Sequence, residues 1–183
     1  MKSKALKIAI PVVLILGLTW LMMGMPPAAR VGYGPEQPIH YSHKKHAGEM
    51  KIDCQYCHTT VAMGRKAGVP SLSVCMNCHN NVGLDGFPEL DKLRDNFWNE
   101  NKSPEWIRIH NLPDHVKFSH APHIKALLQP GHPSKEACMP CHGNIAEMQV
   151  VSQVESLNMG FCISCHRDNK ALGAKTNCST CHY

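Results

Sequence analysis

The stretch Cys54-Gln-Tyr-Cys57-His58 places two cysteines three positions apart and a histidine directly after the second cysteine. The same pattern returns as CMNCH at 75–79, CMPCH at 138–142, CISCH at 162–166 and CSTCH at 178–182. These five motifs are called sites 1 to 5 in chain order, and together they use all ten cysteines. A Cys-x-x-Cys-His motif is typical of the attachment of a c-type haem.

The spacing suits this chemistry because two thiols three positions apart can reach two vinyl groups on one porphyrin edge, and the histidine then binds the iron. A disulfide scaffold would not need a histidine after every second cysteine. Five pairs exceed ordinary zinc stoichiometry, and a thioredoxin-like pair would need a βαβ context. The sequence therefore predicts five covalently attached c-type haems. The cysteines that hold them are Cys54, Cys57, Cys75, Cys78, Cys138, Cys141, Cys162, Cys165, Cys178 and Cys181, and the proximal ligands are His58, His79, His142, His166 and His182.

The composition fits an interior filled by cofactors. The chain has 183 residues, only 6% of them aromatic, with 13 Pro and 13 Gly, and beyond the N-terminal apolar segment it offers about 32 residues per haem. We expect a mostly irregular fold with short α-helices, packed around five haems, and little or no sheet. The net charge of +5 is spread among scattered Lys and Arg, which disfavours a nucleic-acid-binding role.

Two similar segments offer ligands for the opposite haem faces. IHYSHKKH at 39–46 and VKFSHAPH at 116–123 share the pattern aromatic-Ser-His-x-x-His, and each precedes two haem sites. Histidines three positions apart project from one side of a turn. We therefore predict His43, His46, His120 and His123 as distal ligands; the alternative is that they are surface histidines in polar loops.

The fifth distal ligand is predicted to be His110. It ends the stretch SPEWIRIH at 103–110, which has the features of a short helix with Ser103 as N-cap and Pro104 in the first turn. Met159 or Met148 is the alternative, since His/Met ligation also occurs in c-type haems. The other three histidines, His40, His115 and His132, are expected to contact solvent or to support ligands.

The N-terminus has the features of a membrane anchor. Residues 8–25 carry no charge and follow Lys2, Lys4 and Lys7, which favours one transmembrane helix with its N-terminus inside. A cleaved signal peptide is the alternative. The predicted organisation is an anchor at 1–25, a Pro/Gly-rich tether at 26–38 and a pentahaem cytochrome c domain at 39–183. The haem domain is then on the periplasmic face of the cytoplasmic membrane.

The two His-x-x-His segments, taken with the haem motifs, resemble class III, or cytochrome c3/c7-like, multihaem cytochromes. In that family the two histidines of such a segment bind different haems. Over most of 39–182 the chain is also similar to the pentahaem cytochrome subunit of bacterial alternative complex III, a quinol:electron-acceptor oxidoreductase. The segments that carry this similarity are HAGEMKIDCQYCHT, AGVPSLSVCMNCH, PEWIRIHNLPDHVKFSHAPH and CHGNIAEMQVVSQVESLNMGFCISCHR.

The resemblance implies an electron-transfer subunit that has no catalytic residues of its own. Electrons would arrive from an iron–sulfur subunit near a quinol site in a polytopic membrane partner, and would leave to a cytochrome c or a terminal oxidase. One alternative is a membrane-anchored tetrahaem-type quinol dehydrogenase. Another is a multihaem enzyme with an open iron, which the eight histidines outside the haem motifs disfavour.

Overall fold

The computed structural model describes residues 2–23, 30–128, 130–131 and 133–183. Within these residues the chain forms eight α-helices, joined by irregular links and a few tighter or wider helical turns. The helices are α1 (Lys2–Met23), α2 (Cys54–Cys57), α3 (Leu72–His79), α4 (Pro88–Lys92), α5 (His120–Leu127), α6 (Lys135–His142), α7 (Met159–Asp168) and α8 (Cys178–Cys181). The π-helical turns are Lys44–Glu49 and Leu93–Trp98, and the 3₁₀ turns are Ile145–Glu147 and Lys170–Leu172.

The protein interior contains few apolar side chains. Among the described residues two small clusters are buried, one of Ile39, Met76 and Leu93 and the other of Val61, Ile124 and Ala137. No strand forms in the described part, where the one β-bridge joins Val116 to His182. The expected class, short helices and irregular links without sheet, is therefore confirmed.

The link 103–110 is not the helix that its N-cap pattern predicted. The structure leaves residues 102–109 without regular structure. The amide of Gln37 explains this, because its Oε1 accepts a hydrogen bond from the Ile107 N–H (2.8 Å) and its Nε2 donates to the Ile107 carbonyl (3.0 Å). Both backbone groups of Ile107 are thereby paired outside any helix, and a contact across 70 residues overrides the local capping signal.

Helix α1 occupies most of the predicted anchor, 1–25, of which residues 1, 24 and 25 lie outside the described residues. No helix in the described part of the chain is long and apolar enough to cross a membrane, so the predicted transmembrane helix has no support from the structure.

Part of the predicted tether, 26–38, is also described, from residue 30 onward. It is hydrogen-bonded to the domain predicted at 39–183: the Gly32 N–H donates to the Gln153 carbonyl (2.7 Å), and the Gln153 N–H donates to the Tyr33 carbonyl (2.9 Å). Gln153 itself is fully buried. This pairing fixes 32–33 against the segment that links sites 3 and 4.

Candidate haem-binding sites

The two cysteines of each Cys-x-x-Cys-His motif lie on one of the short helices. The cysteine pairs of sites 1 to 5 lie on α2, α3, α6, α7 and α8, in that order. One helical turn separates the two cysteines of a pair, so both thiols project from the same side. All ten thiols are free, and the disulfide scaffold considered above does not form.

Three of the predicted proximal histidines are fixed by backbone carbonyls. The Nδ1–H of His58 donates to the carbonyl of Gly68 (2.6 Å), that of His79 to Val82 (3.1 Å) and that of His166 to Lys175 (2.5 Å). Because a carbonyl only accepts, each ring carries its proton on Nδ1 and leaves Nε2 as a lone-pair donor for a metal. Sequence patterns could not reveal these acceptors, since any residue type supplies a carbonyl.

The two aromatic-Ser-His-x-x-His segments fold into the same local structure, here called module 1 (41–46) and module 2 (118–123). In module 1 the Tyr41 ring is 4.8 Å from His43 at 85° and 4.5 Å from His46 at 23°. In module 2 the corresponding values from Phe118 are 4.8 Å at 85° and 4.8 Å at 29°. The aromatic residue of the motif therefore packs against both histidines and fixes their directions.

The serine of each module holds the second histidine. The Nδ1–H of His46 donates to the Ser42 carbonyl (2.9 Å), and that of His123 donates to the Ser119 carbonyl (2.7 Å). His120 donates in the same way to the Arg65 carbonyl (2.8 Å). These bonds also leave Nε2 of each ring free for a metal.

Three of the module histidine rings each lie about 6 Å from the ring of a proximal histidine. The ring centroids are 6.1 Å apart for His46 and His79, 6.4 Å for His120 and His142, and 6.0 Å for His123 and His166. A metal–imidazole bond is about 2 Å long and the bound nitrogen lies about 1 Å from its ring centre, so imidazoles on opposite sides of one ion have centroids about 6 Å apart. The three observed distances match this geometry.

The remaining module histidine, His43, lies beside site 1. Its Nδ1 is buried without a hydrogen-bond partner. Burial, followed by the charges of His58 and His46, lowers the pKa of His43 to about 4. The ring is therefore neutral at pH 7, as a metal ligand must be.

The predicted fifth distal ligand, His110, lies against site 3. Its ring centroid is 4.3 Å from that of His142, which is too short for two rings on opposite sides of one iron, and its Nε2 is buried and unpartnered. His115 approaches His182 to 5.5 Å, but the Tyr183 N–H donates to the His115 carbonyl, so the two backbones are adjacent and the rings cannot oppose each other across an iron.

The other candidates from the sequence that the structure describes lie in different surroundings. His40 is exposed and pairs with Glu89 (3.3 Å). Met159, at the start of α7, is 70% exposed. Met148 lies after the 3₁₀ turn, where its carbonyl accepts from the Lys44 N–H (2.9 Å). His132 is outside the described residues.

The residues present fit c-type haem. The histidines leave free Nε2 atoms in facing pairs, and thiols project beside them in the spacing that the motif requires. Because only two small apolar clusters are buried, a large apolar group such as haem would complete the packing of the interior. In the described part of the chain, no three His, Cys, Asp or Glu side chains converge to hold a bare metal ion.

Comparison with known proteins agrees with this geometry. Residues 116–183 match the family described as cytochrome c7 and related cytochrome c. The multihaem cytochrome c subunit of a menaquinone reductase from Nitratidesulfovibrio vulgaris (strain Hildenborough) is 30% identical over 162 residues, which cover 80% of this chain and 77% of that protein. The chain therefore belongs to the multihaem cytochrome c family, whose members bind haem covalently and transfer electrons.

Proposed function

We propose that this chain is a five-haem electron-transfer subunit of a quinone-coupled oxidoreductase complex. The observation that carries the proposal is the set of three facing histidine pairs at 6.0–6.4 Å. Two imidazoles on opposite faces occupy both axial positions of an iron, so no position remains for a substrate. Bound haem supplies one-electron Fe(III)/Fe(II) chemistry at each site.

We assign the distal ligands by module. His46, His120 and His123 are assigned to sites 2, 3 and 4 because their rings lie about 6 Å from the proximal rings there, and His43 is assigned to site 1 because it lies near His58. In each module the first histidine serves the first haem site that follows and the second serves the next. The repeat in the sequence is therefore a repeat of two ligand pairs, and site 5 is added to it.

The side chains around these rings hold them in place. The backbone carbonyls that accept from Nδ1 fix the ring orientation and increase the basicity of Nε2. Tyr41 and Phe118 pack against the distal rings and exclude water from them. These contacts keep the ligand geometry unchanged when the iron changes charge, which suits an electron carrier.

A complex with quinone-binding partners is the proposed setting. The relative is a subunit of a menaquinone reductase, and the sequence also resembles the cytochrome subunit of alternative complex III. In both cases a multihaem subunit works with quinone-linked partners. The proposed partners are an iron–sulfur subunit, a polytopic quinone-binding subunit, and a cytochrome c or oxidase as electron acceptor, on the periplasmic side of the cytoplasmic membrane.

The direction of electron flow has two candidates. The resemblance to alternative complex III favours quinol oxidation, and the name of the relative favours menaquinone reduction. Stopped-flow absorbance of the purified complex separates them: menaquinol added to the oxidised complex reduces the haems in the first case, and menaquinone added to the reduced complex oxidises them in the second.

The test of the haem assignment is mass spectrometry of the native chain together with its EPR spectrum. We expect an added mass of five times about 616 Da and low-spin ferric signals from the four haems with assigned distal histidines, at sites 1 to 4. The chain made in cells without haem-attachment machinery is the control and should lack both. Fewer haems, or a high-spin signal that nitrite or cyanide shifts, would favour a catalytic multihaem enzyme over an electron carrier.

A further inference from the structure

We infer that sites 2, 1, 3 and 4 form one row in that order, which differs from their order in the chain, and that site 5 lies beside the segment that enters module 2. This inference rests on the proposed function, since it concerns the path that electrons would follow. Site 2 is then one end of the row, and the contact between sites 1 and 3 joins its two halves.

The contact between sites 1 and 3 is the least expected from the sequence. The Gln55 side chain, inside the motif of site 1, donates from Nε2 to the Ser134 hydroxyl (2.8 Å), and Ser134 is buried directly before α6. Sites 1 and 3 are therefore adjacent although 84 residues separate their first cysteines.

Sites 1 and 2 lie side by side within the first half. The Asn77 amide, inside the motif of site 2, donates to the Tyr56 hydroxyl inside the motif of site 1 (3.3 Å). Partial burial, followed by the nearby Cys57 thiol of site 1, raises the pKa of the Cys75 thiol. Module 1 supplies distal histidines to both sites from one helical turn, which holds the two haems close together.

Site 4 follows site 3 in the second half of the row. His120 and His123 face sites 3 and 4 from a single turn of α5.

Site 5 is also tied to the segment that enters module 2. The Lys117 N–H donates to the Cys181 carbonyl (2.8 Å), and the Lys117 ammonium donates to the Ser179 carbonyl (3.2 Å).

The exposure of the cysteines agrees with this order. Of the ten, only Cys78 in site 2 and Cys178 in site 5 are exposed, and the other eight are partly covered. Among the described residues, the contacts of site 2 with another haem motif all go to site 1. A row in chain order would instead require site 2 to touch site 3.

The experiment raises the potential of one haem at a time in the full holo-protein. Replacing a distal imidazole by methionine raises the potential of that haem, so it is reduced first in an EPR-monitored redox titration. Reduction of that haem lowers its charge by one, so the EPR signals and the midpoint potentials of the directly neighbouring haems shift. Four substitutions are used, each called the tag of its site: His46→Met for site 2, His43→Met for site 1, His120→Met for site 3 and His123→Met for site 4. They also assign each EPR signal to its site. His40→Met, on an exposed residue, is the matched control.

We expect the site 3 tag to shift the signals of sites 1 and 4 and to leave site 2 unchanged, and the site 2 tag to shift only site 1. A shift of site 2 by the site 3 tag, or no shift of site 1, would overturn the order. If either variant fails to assemble, the site 1 and site 4 tags give the same test: the site 1 tag should shift sites 2 and 3, and the site 4 tag should shift site 3 and leave site 2 unchanged. Fewer than five covalent haems, or fewer than four low-spin signals, in the native protein would instead overturn the proposed function.

Discussion

Gly48 lies where two chain segments touch, and replacing it by alanine tests that contact. It belongs to the π-helical turn Lys44–Glu49 beside module 1, which packs on the 3₁₀ turn Ile145–Glu147. A Cβ added at Gly48 would lie 2.2 Å from the carbonyl oxygen of Ala146. Since that oxygen belongs to the backbone, the whole 3₁₀ turn must move by about 1 Å to restore an ordinary contact.

The expected cost of Gly48→Ala follows from that displacement. Overpacking against a rigid neighbour costs about 1–3 kcal/mol, and straining the hydrogen bond from the Lys44 N–H to the Met148 carbonyl (2.9 Å) adds up to about 1 kcal/mol. A total of about 2 kcal/mol lowers the melting temperature of a chain of this size by about 4–8 °C.

Thermal unfolding of the holo-protein, followed by far-UV circular dichroism, measures this change. Gly64→Ala is the matched control, because a Cβ at Gly64 meets nothing within 4 Å and its backbone is not in the left-handed region. We expect the control to melt at or slightly above the native temperature, since alanine restricts the unfolded chain. A Gly48→Ala protein that melts with the control would refute the tight contact between the two turns.

Three further changes test other parts of the structure. Gly143→Ala, at φ +69° and with its Cβ 2.6 Å from a Val154 methyl, should lower the free energy of unfolding in denaturant by about 1–3 kcal/mol, and an unchanged midpoint would contradict this. Gln153→Ala removes a fully buried side chain whose amide donates to the Glu155 carbonyl (2.8 Å), so the free energy of unfolding should fall by about 1–3 kcal/mol in the same assay. An unchanged free energy of unfolding would show that this side chain does not stabilise the fold. His123→Ala should convert one low-spin EPR signal to high-spin, whereas the control His40→Ala should leave the EPR spectrum unchanged. A His123→Ala spectrum that equals the control spectrum would exclude His123 as a ligand.

The local structure at 103–110 shows where sequence reasoning failed. Ser103 and Pro104 are good helix-start residues, yet the segment is irregular because the Gln37 amide pairs both backbone groups of Ile107. Capping propensity contributes about 1 kcal/mol, and a two-hydrogen-bond bridge from a distant residue outweighs it. The choice of His110 as the fifth distal ligand also drew on that helix; its ring lies against site 3, and its role as a ligand stays a prediction.

The sequence by itself determined the chemistry, since cysteine and histidine spacing within five residues is a local property that needs no knowledge of the fold. It also determined the two modules, because aromatic, serine and histidine side chains within one turn find each other without distant help. Only the tertiary structure decided which distal ring faces which proximal ring and that site 1 meets site 3 through Gln55 and Ser134. Those contacts join residues tens of positions apart, and they depend on how irregular links pack, which no periodic pattern in the chain encodes.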